Sequence, residues 1–159
     1  MTLFDSNLRK FFFNYIFQSL LAGISIAVIL CFINFITKAA IVASLGSSIF
    51  IVFAMPKRIT ARPRNLIGGH LAGVISGIIF SFIANARGVF PHIFCAAAAV
   101  GLSIFLMCIT NTQHPPASGT ALGLIAHQWD TGTIGFILTS VVLLAVIKYG
   151  LRNYLKDLL

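Results

Sequence analysis

Acidic side chains are almost missing from this chain: of 159 residues only Asp5, Asp130 and Asp157 carry a carboxylate, and two of these lie near the termini. Without a second acid near Asp130, no nucleophile, base and orienting acid can be grouped, so an enzyme is not expected. Cysteine is sparse as well. Cys31, Cys95 and Cys108 are odd in number, fall in apolar stretches and lack paired metal spacing, which leaves neither a disulfide framework nor a zinc site and reads them as small buried hydrophobes. No His-Glu-x-x-His string is present and no two histidines stand four apart. His114 and His127 would sit at opposite ends of a short helix, about 20 Å apart. Neither a metal nor any other cofactor is therefore expected. Charge of any kind is scarce, at 9% of residues.

What is present is apolar. Hydrophobic residues make up 58% of the chain and mean hydropathy is +1.00. That leaves too little polar surface to dissolve a globule of this size, so the main solvent must be lipid. The net charge of +8 comes from Lys and Arg placed singly or in short groups between long apolar runs. Such spacing suits loops that flank a bilayer and excludes a nucleic-acid groove. The uncharged run from Phe11 to Thr37 is too long for a cleavable signal core and reads as a retained first span. With no transit segment ahead of it, the default address is a bacterial cytoplasmic membrane.

A spanning helix needs roughly 20 apolar residues. Asn14 to Ile36, Asn65 to Ala86 and Pro91 to Thr110 meet that length; Ala39 to Met55, Pro115 to His127 and Thr131 to Ile147 are shorter, the last prolonged by Tyr149 and Leu151. If all six cross, one side collects Arg9, Lys10, Lys57, Arg58, Arg62, Arg64, Lys148, Arg152 and Lys156, against Lys38 and Arg87 on the other. Were two short segments re-entrant, the bias would vanish. The positive-inside rule thus favours six crossings with both termini cytoplasmic. The expected fold is an all-α integral membrane protein with six helical segments, four long and two short or half-helices. It forms a single transmembrane domain over residues 1–159. Residues 1–86 and 91–159 then form a 3+3 inverted repeat, each half centred on a short segment with Gly46-Ser47 or Gly119-Thr120. Interrupted segments at matching places in two inverted halves point to a transporter site near the midplane.

The most specific string runs Thr110-Asn111-Thr112-Gln113-His114-Pro115-Pro116-Ala117-Ser118-Gly119-Thr120-Ala121. Paired prolines are excluded from a helix interior but suit its first positions, so a helix should start at Pro115 or Pro116 after an extended stretch from Asn111 to His114. Backbone of that kind is tolerated in lipid only where protein or a cavity surrounds it. In the second short segment, Ala43-Ser44-Leu45-Gly46-Ser47-Ser48, Ser44 is a plausible N-cap, with Lys38 to Ala43 extended. Two helix N-termini meeting near the midplane would then offer amides to a small anion. The alternative is that Ser44, Ser47 and Ser48 only bond neighbouring helices.

These strings, with Pro63-Arg64-Asn65 and Gly68-Gly69-His70, resemble the HPP transmembrane family, named for the tripeptide that appears here as His114-Pro115-Pro116. The resemblance runs from about Ala39 to Gly123. It implies a compact membrane protein, usually described as four-helix, of a group suspected to be transporters. Some cyanobacterial and chloroplast members are linked to nitrite transport, and some carry a soluble regulatory domain that is not expected here.

The substrate-binding candidates are accordingly His114, Pro115, Pro116, Asn111, Gln113, Ser118, Gly119 and Thr120, then Ser44, Gly46, Ser47 and Ser48, and on the third segment Arg64, Asn65 and His70. Arg62, Arg64, His70 and His114 are expected to converge towards the cytoplasmic side. Gly69, Gly73 and Gly77, at intervals of four, form a helix-packing face. Asp130, after Trp129, should cap the last segment. The leading expectation is a transporter or channel for a small anion, with lipid, the anion and a second copy of the chain as partners. The competing one is a structural or assembly subunit that transports nothing.

Overall fold

The computed structural model describes residues 8–31, 39–84, 89–127 and 129–159. Within them lie six helices, α1 (Leu8–Cys31), α2 (Ala39–Ala54), α3 (Pro63–Ala84), α4 (Val89–Ile109), α5 (Pro116–Ala126) and α6 (Thr131–Leu151), and a short 3-10 turn at Ile59–Ala61. Pro63–Ala84, His92–Ile109 and Thr131–Leu151 are long and apolar enough to cross a bilayer. The expected placements of Asp5, Lys38 and Arg87 lie outside the described residues.

Contacts fix the direction of each helix. Lys148 of α6 donates to the Ala61 carbonyl before α3, while at the other end Trp129 Nε1 donates to Ser81 Oγ, 2.6 Å, so α3 and α6 are antiparallel. His92 near the start of α4 bonds the Ile125 carbonyl at the end of α5. Gln18 of α1 reaches the Phe53 carbonyl near the end of α2. The chain therefore runs up and down through six segments. The loop after α2, the start of α3, the break before α5 and the end of α6 share one face of the bundle. That face carries Lys57, Arg58, Arg62, Arg64, Lys148, Arg152 and Lys156, as the charge pattern requires. The helices pack unequally: α3 lies against α5 along its length, whereas α2 meets α6 more sparingly.

The close α3 and α5 packing follows from small residues. A Cβ on Gly69 would stand 2.6 Å from the His114 Cβ, one on Gly77 would stand 2.9 Å from Leu124 Cβ, and one on Gly73 would overlap the Ala117 carbonyl oxygen. All three glycines thus face α5 in one parallel register, which is the packing role expected of them. Gly68 beside them holds Thr112 in the same way.

Outside the bundle centre the surface is apolar, with Phe13, Phe82, Phe94, Phe105 and Val146 exposed, as lipid contact demands. Asp130 caps α6 through Thr133 N at 2.6 Å and Thr133 Oγ1 at 2.7 Å. Asp130→Ala is expected to cost about 1 kcal/mol. Thermal unfolding in detergent should show that modest loss, and an unchanged midpoint would mean the cap carries no weight.

Candidate functional site

The Pro-Pro start of α5 is as the sequence dictates: Pro115 is the N-cap and Pro116 the first helical residue. Before it, Asn111 turns the chain in a left-handed conformation, φ 53°, and Thr112 to His114 run without helix against α3. Arg64 Nη2 holds the Thr110 carbonyl at 3.0 Å and Asn65 Nδ2 the Gln113 carbonyl at 3.2 Å. Buried Asn65 and exposed Arg64 are thus clamps on the break.

Two expectations are corrected. α2 begins at Ala39, so Ser44 is inside the helix and not its N-cap; nothing in Ala39 to Ala43 breaks a helix, and in lipid a continuous helix satisfies the backbone best. The N-terminus of α2 lies at the far end of α5, where Ile41 covers Gly123, so the two helix N-termini do not meet near the midplane. The amides at the start of α5 are also taken: Pro115 and Pro116 have none, Ala117 N bonds the His114 carbonyl at 2.9 Å, and Ser118 N bonds the Pro115 carbonyl at 3.2 Å. No anion cradle of backbone N–H groups stands there.

What stands there instead is a buried row of side chains. Ser44 and Ser48, one turn apart on α2, face α5 and α3. His114 Nδ1 bonds the Thr60 carbonyl at 2.8 Å, and its Nε2 meets Ser48 Oγ at 2.8 Å. Ser48 Oγ meets His70 Nε2 at 2.9 Å, and His70 Nδ1 meets Thr120 Oγ1 at 2.9 Å. Thr120 Oγ1 meets Ser44 Oγ at 3.0 Å, and Ser44 Oγ donates to the Pro116 carbonyl at 2.5 Å. Ser48 also has the Ser44 carbonyl at 3.0 Å. The imidazole rings lie 5.2 Å apart, and His70, His114, Ser48 and Thr120 are 0% exposed. Among the described residues no buried side-chain polar atom lacks a partner.

His70 is seven residues into α3, about 10 Å along the axis. Thr120 packs beside Gly73, about 15 Å in. The row therefore leads from the basic face to the middle of the bundle, and not only to a site at the midplane. Beyond it Ile41, Ala121, Leu124 and Ile125 close the core with apolar side chains.

The other candidates fall around this row. Gly119 lies against Ser44, to whose Cβ a side chain there would come within 3.2 Å. Gln113, His114, Pro115 and Ser118 border a cleft of about 450 Å³ with Ile104, Met107 and Cys108. Cys108 is thus exposed, unlike buried Cys95. Ser47 is exposed and bonds its own helix at Ala43, Gly46 meets nothing within 4 Å, and Asn111 is exposed, so these three do not belong to the row. Thr60 carries no signal in the sequence, since it contributes only its backbone carbonyl. No group of three or more His, Cys, Asp or Glu suited to a metal occurs among the described residues.

These features define a helical membrane protein with an interrupted short helix beside a buried histidine and hydroxyl row. The family model for the HPP transmembrane region matches residues 9–156, and the chain belongs to that family. It is similar to two transmembrane proteins of Dictyostelium discoideum. One is 42% identical over 83 residues, covering 52% of this chain and 28% of the relative; the other is 34% identical over 82 residues, covering 52% and 26%. The chain thus spans little more than a quarter of the length of these relatives. No solved structure matches.

Proposed function

We propose that the chain is a transporter for a small inorganic anion, nitrite being the substrate that resemblance to its family suggests, and not an enzyme. The observation that carries this reading is the polar row from Thr60 to Pro116, buried in a bundle whose spans hold no acid. Polar side chains placed deep in a membrane protein are costly and mark pathways. Cation carriers use membrane carboxylates, which this chain lacks. Arg62 and Arg64, exposed on the face nearest His114, give that entrance a positive potential that draws anions. The proposed setting is a bacterial cytoplasmic membrane with both termini and the basic face in the cytoplasm. The lateral cleft beside α4 and α5 supports pairing with a second copy.

A structural or assembly subunit is the competing reading, favoured by the complete satisfaction of the row by its own members. Purified protein in vesicles separates the two. Nitrite should enter protein-containing vesicles faster than empty ones, and His114→Ala should reduce that rate roughly tenfold while the protein stays monodisperse, as expected for stranded buried partners. Equal rates with and without protein, for nitrite and other small anions, would favour the structural reading.

A further inference from the structure

The break before α5 opens a lateral cleft of about 450 Å³, walled by Ile104, Met107 and Cys108 of α4 and by Gln113, Pro115 and Ser118. Ile104 is 47% exposed and Cys108 is exposed, so in a bilayer the mouth of the cleft meets lipid. Ile104 lies about 8 Å along the axis from the end of α4 at Ile109, and the cleft therefore runs inward from the basic face.

The backbone around the cleft is settled. Thr110 N bonds the Leu106 carbonyl at 3.0 Å, Thr112 N the Met107 carbonyl at 2.9 Å and Asn111 N the Cys108 carbonyl at 3.3 Å. Two side chains are not. The Gln113 amide and the Ser118 hydroxyl border the cleft, are half-buried, and make no hydrogen bond among the described residues.

Arg64 stands at the same end. Its Nη2 bond to the Thr110 carbonyl sets the guanidinium over the last turn of α4, and Asn65, the next residue, holds the Gln113 carbonyl. A guanidinium has five N–H groups, so Thr110 leaves most of them to spare. Neither described acid is bonded to it: Asp130 caps α6 on the opposite face, and Asp157 accepts from Lys57 N at 3.1 Å.

Arg64, Gln113 and Ser118 thus offer donors and one positive charge above an apolar slot. A second copy of the chain cannot supply the acidic answer, because none of its six helices holds a carboxylate. An anionic phospholipid can. Its phosphate and ester oxygens only accept, and its acyl chain matches Ile104, Met107 and Pro115. Basic pockets between membrane helices bind such headgroups on the cytoplasmic side.

We propose that the cleft between α4 and the start of α5 is a binding site for one anionic phospholipid. The phosphate lies against Arg64 and Gln113, and one acyl chain runs inward past Met107 and Ser118 towards Ile104. The site stands apart from whatever the buried row does, and a second copy paired along this side would close over the seated chain.

The test uses the full chain in mild detergent, with phosphatidylglycerol as the probe and phosphatidylcholine of the same acyl chains as its neutral match. Native mass spectrometry should show one phosphatidylglycerol held per chain, about fivefold or more above phosphatidylcholine, the factor that one surface cation contributes. Arg64→Gln, which removes the charge, and Cys108→Trp, which fills the slot, should each lower retention by about that factor. Ile104→Trp fills the slot from its outer edge and is a second filled variant. Cys108→Ala should hold the lipid as the native chain does, and so should Arg152→Gln, whose guanidinium lies over Tyr149 on α6, away from α4. Phosphatidylglycerol should raise the thermal midpoint of the native chain and of Cys108→Ala but not of the filled variants. Equal retention of the two lipids would overturn the proposal, as would a loss in Arg152→Gln as large as in Arg64→Gln, because the basic face would then hold lipid without a site. Full retention by both folded tryptophan variants would empty the slot of its acyl chain. A lipid-free dimer that either tryptophan breaks would give the cleft to a second copy instead.

Discussion

Replacing Gly73 by alanine should be among the most damaging single-methyl changes in the bundle. The new Cβ would overlap the Ala117 carbonyl oxygen and stand 3.3 Å from the Thr120 Cβ, so the α5 backbone itself must withdraw. Overpacking against an interior that cannot yield costs about 1–3 kcal/mol or more. The expected result is a clear fall in the thermal midpoint in detergent and a loss of monodisperse protein. Gly46→Ala and Gly101→Ala are matched controls, because nothing lies within 4 Å of either new methyl. Alanine is the better helix former, so both should leave the midpoint unchanged or raise it. A Gly73→Ala protein as stable as these controls would mean that α3 and α5 do not approach as described.

The second large effect is expected at His70. His70→Leu keeps a side chain of similar bulk but makes it apolar, removing partners from both Ser48 and Thr120. Stranding buried hydroxyls costs about 1–3 kcal/mol each, which in a rate corresponds to roughly tenfold or more. Nitrite uptake should fall by at least that factor, with a smaller loss of thermal stability because Ser48 retains the Ser44 carbonyl and Thr120 retains Ser44 Oγ. Ser47→Ala, on the exposed side of the same helix as Ser48, should change neither quantity. Equal uptake by His70→Leu and Ser47→Ala would separate the row from transport.

Much of this architecture could be read from residue types. The start of α5 was legible because proline lacks an amide, so Pro115-Pro116 leaves few alternatives. The Gly69, Gly73 and Gly77 face was legible from its four-residue spacing, and the basic face from where Lys and Arg interrupt the apolar runs. The role of Ser44 was not. Serine is a strong N-cap by local preference, but the apolar residues ahead of it keep their backbone bonded in lipid by continuing the helix. That single difference moves the start of α2 away from the start of α5, to its far end, and dissolves the paired-terminus anion site. The meeting of His70 with His114 depends on the register of α3 against α5, which no local pattern encodes. Thr60 was invisible for a simpler reason: its contribution is a carbonyl that every residue possesses.

The fastening of α1 has a consequence for how the chain is made. Gln18 bonds the Phe53 carbonyl, accepts from Lys156 N at 2.9 Å and donates to the Lys156 carbonyl at 2.8 Å, while Leu158 N reaches the Ala54 carbonyl. The first helix of the bundle is therefore latched in part by a segment that follows the sixth in the chain. Until that segment emerges, the Gln18 amide can hold only the Phe53 carbonyl, so the last hold on α1 waits for residues that come after all six helices.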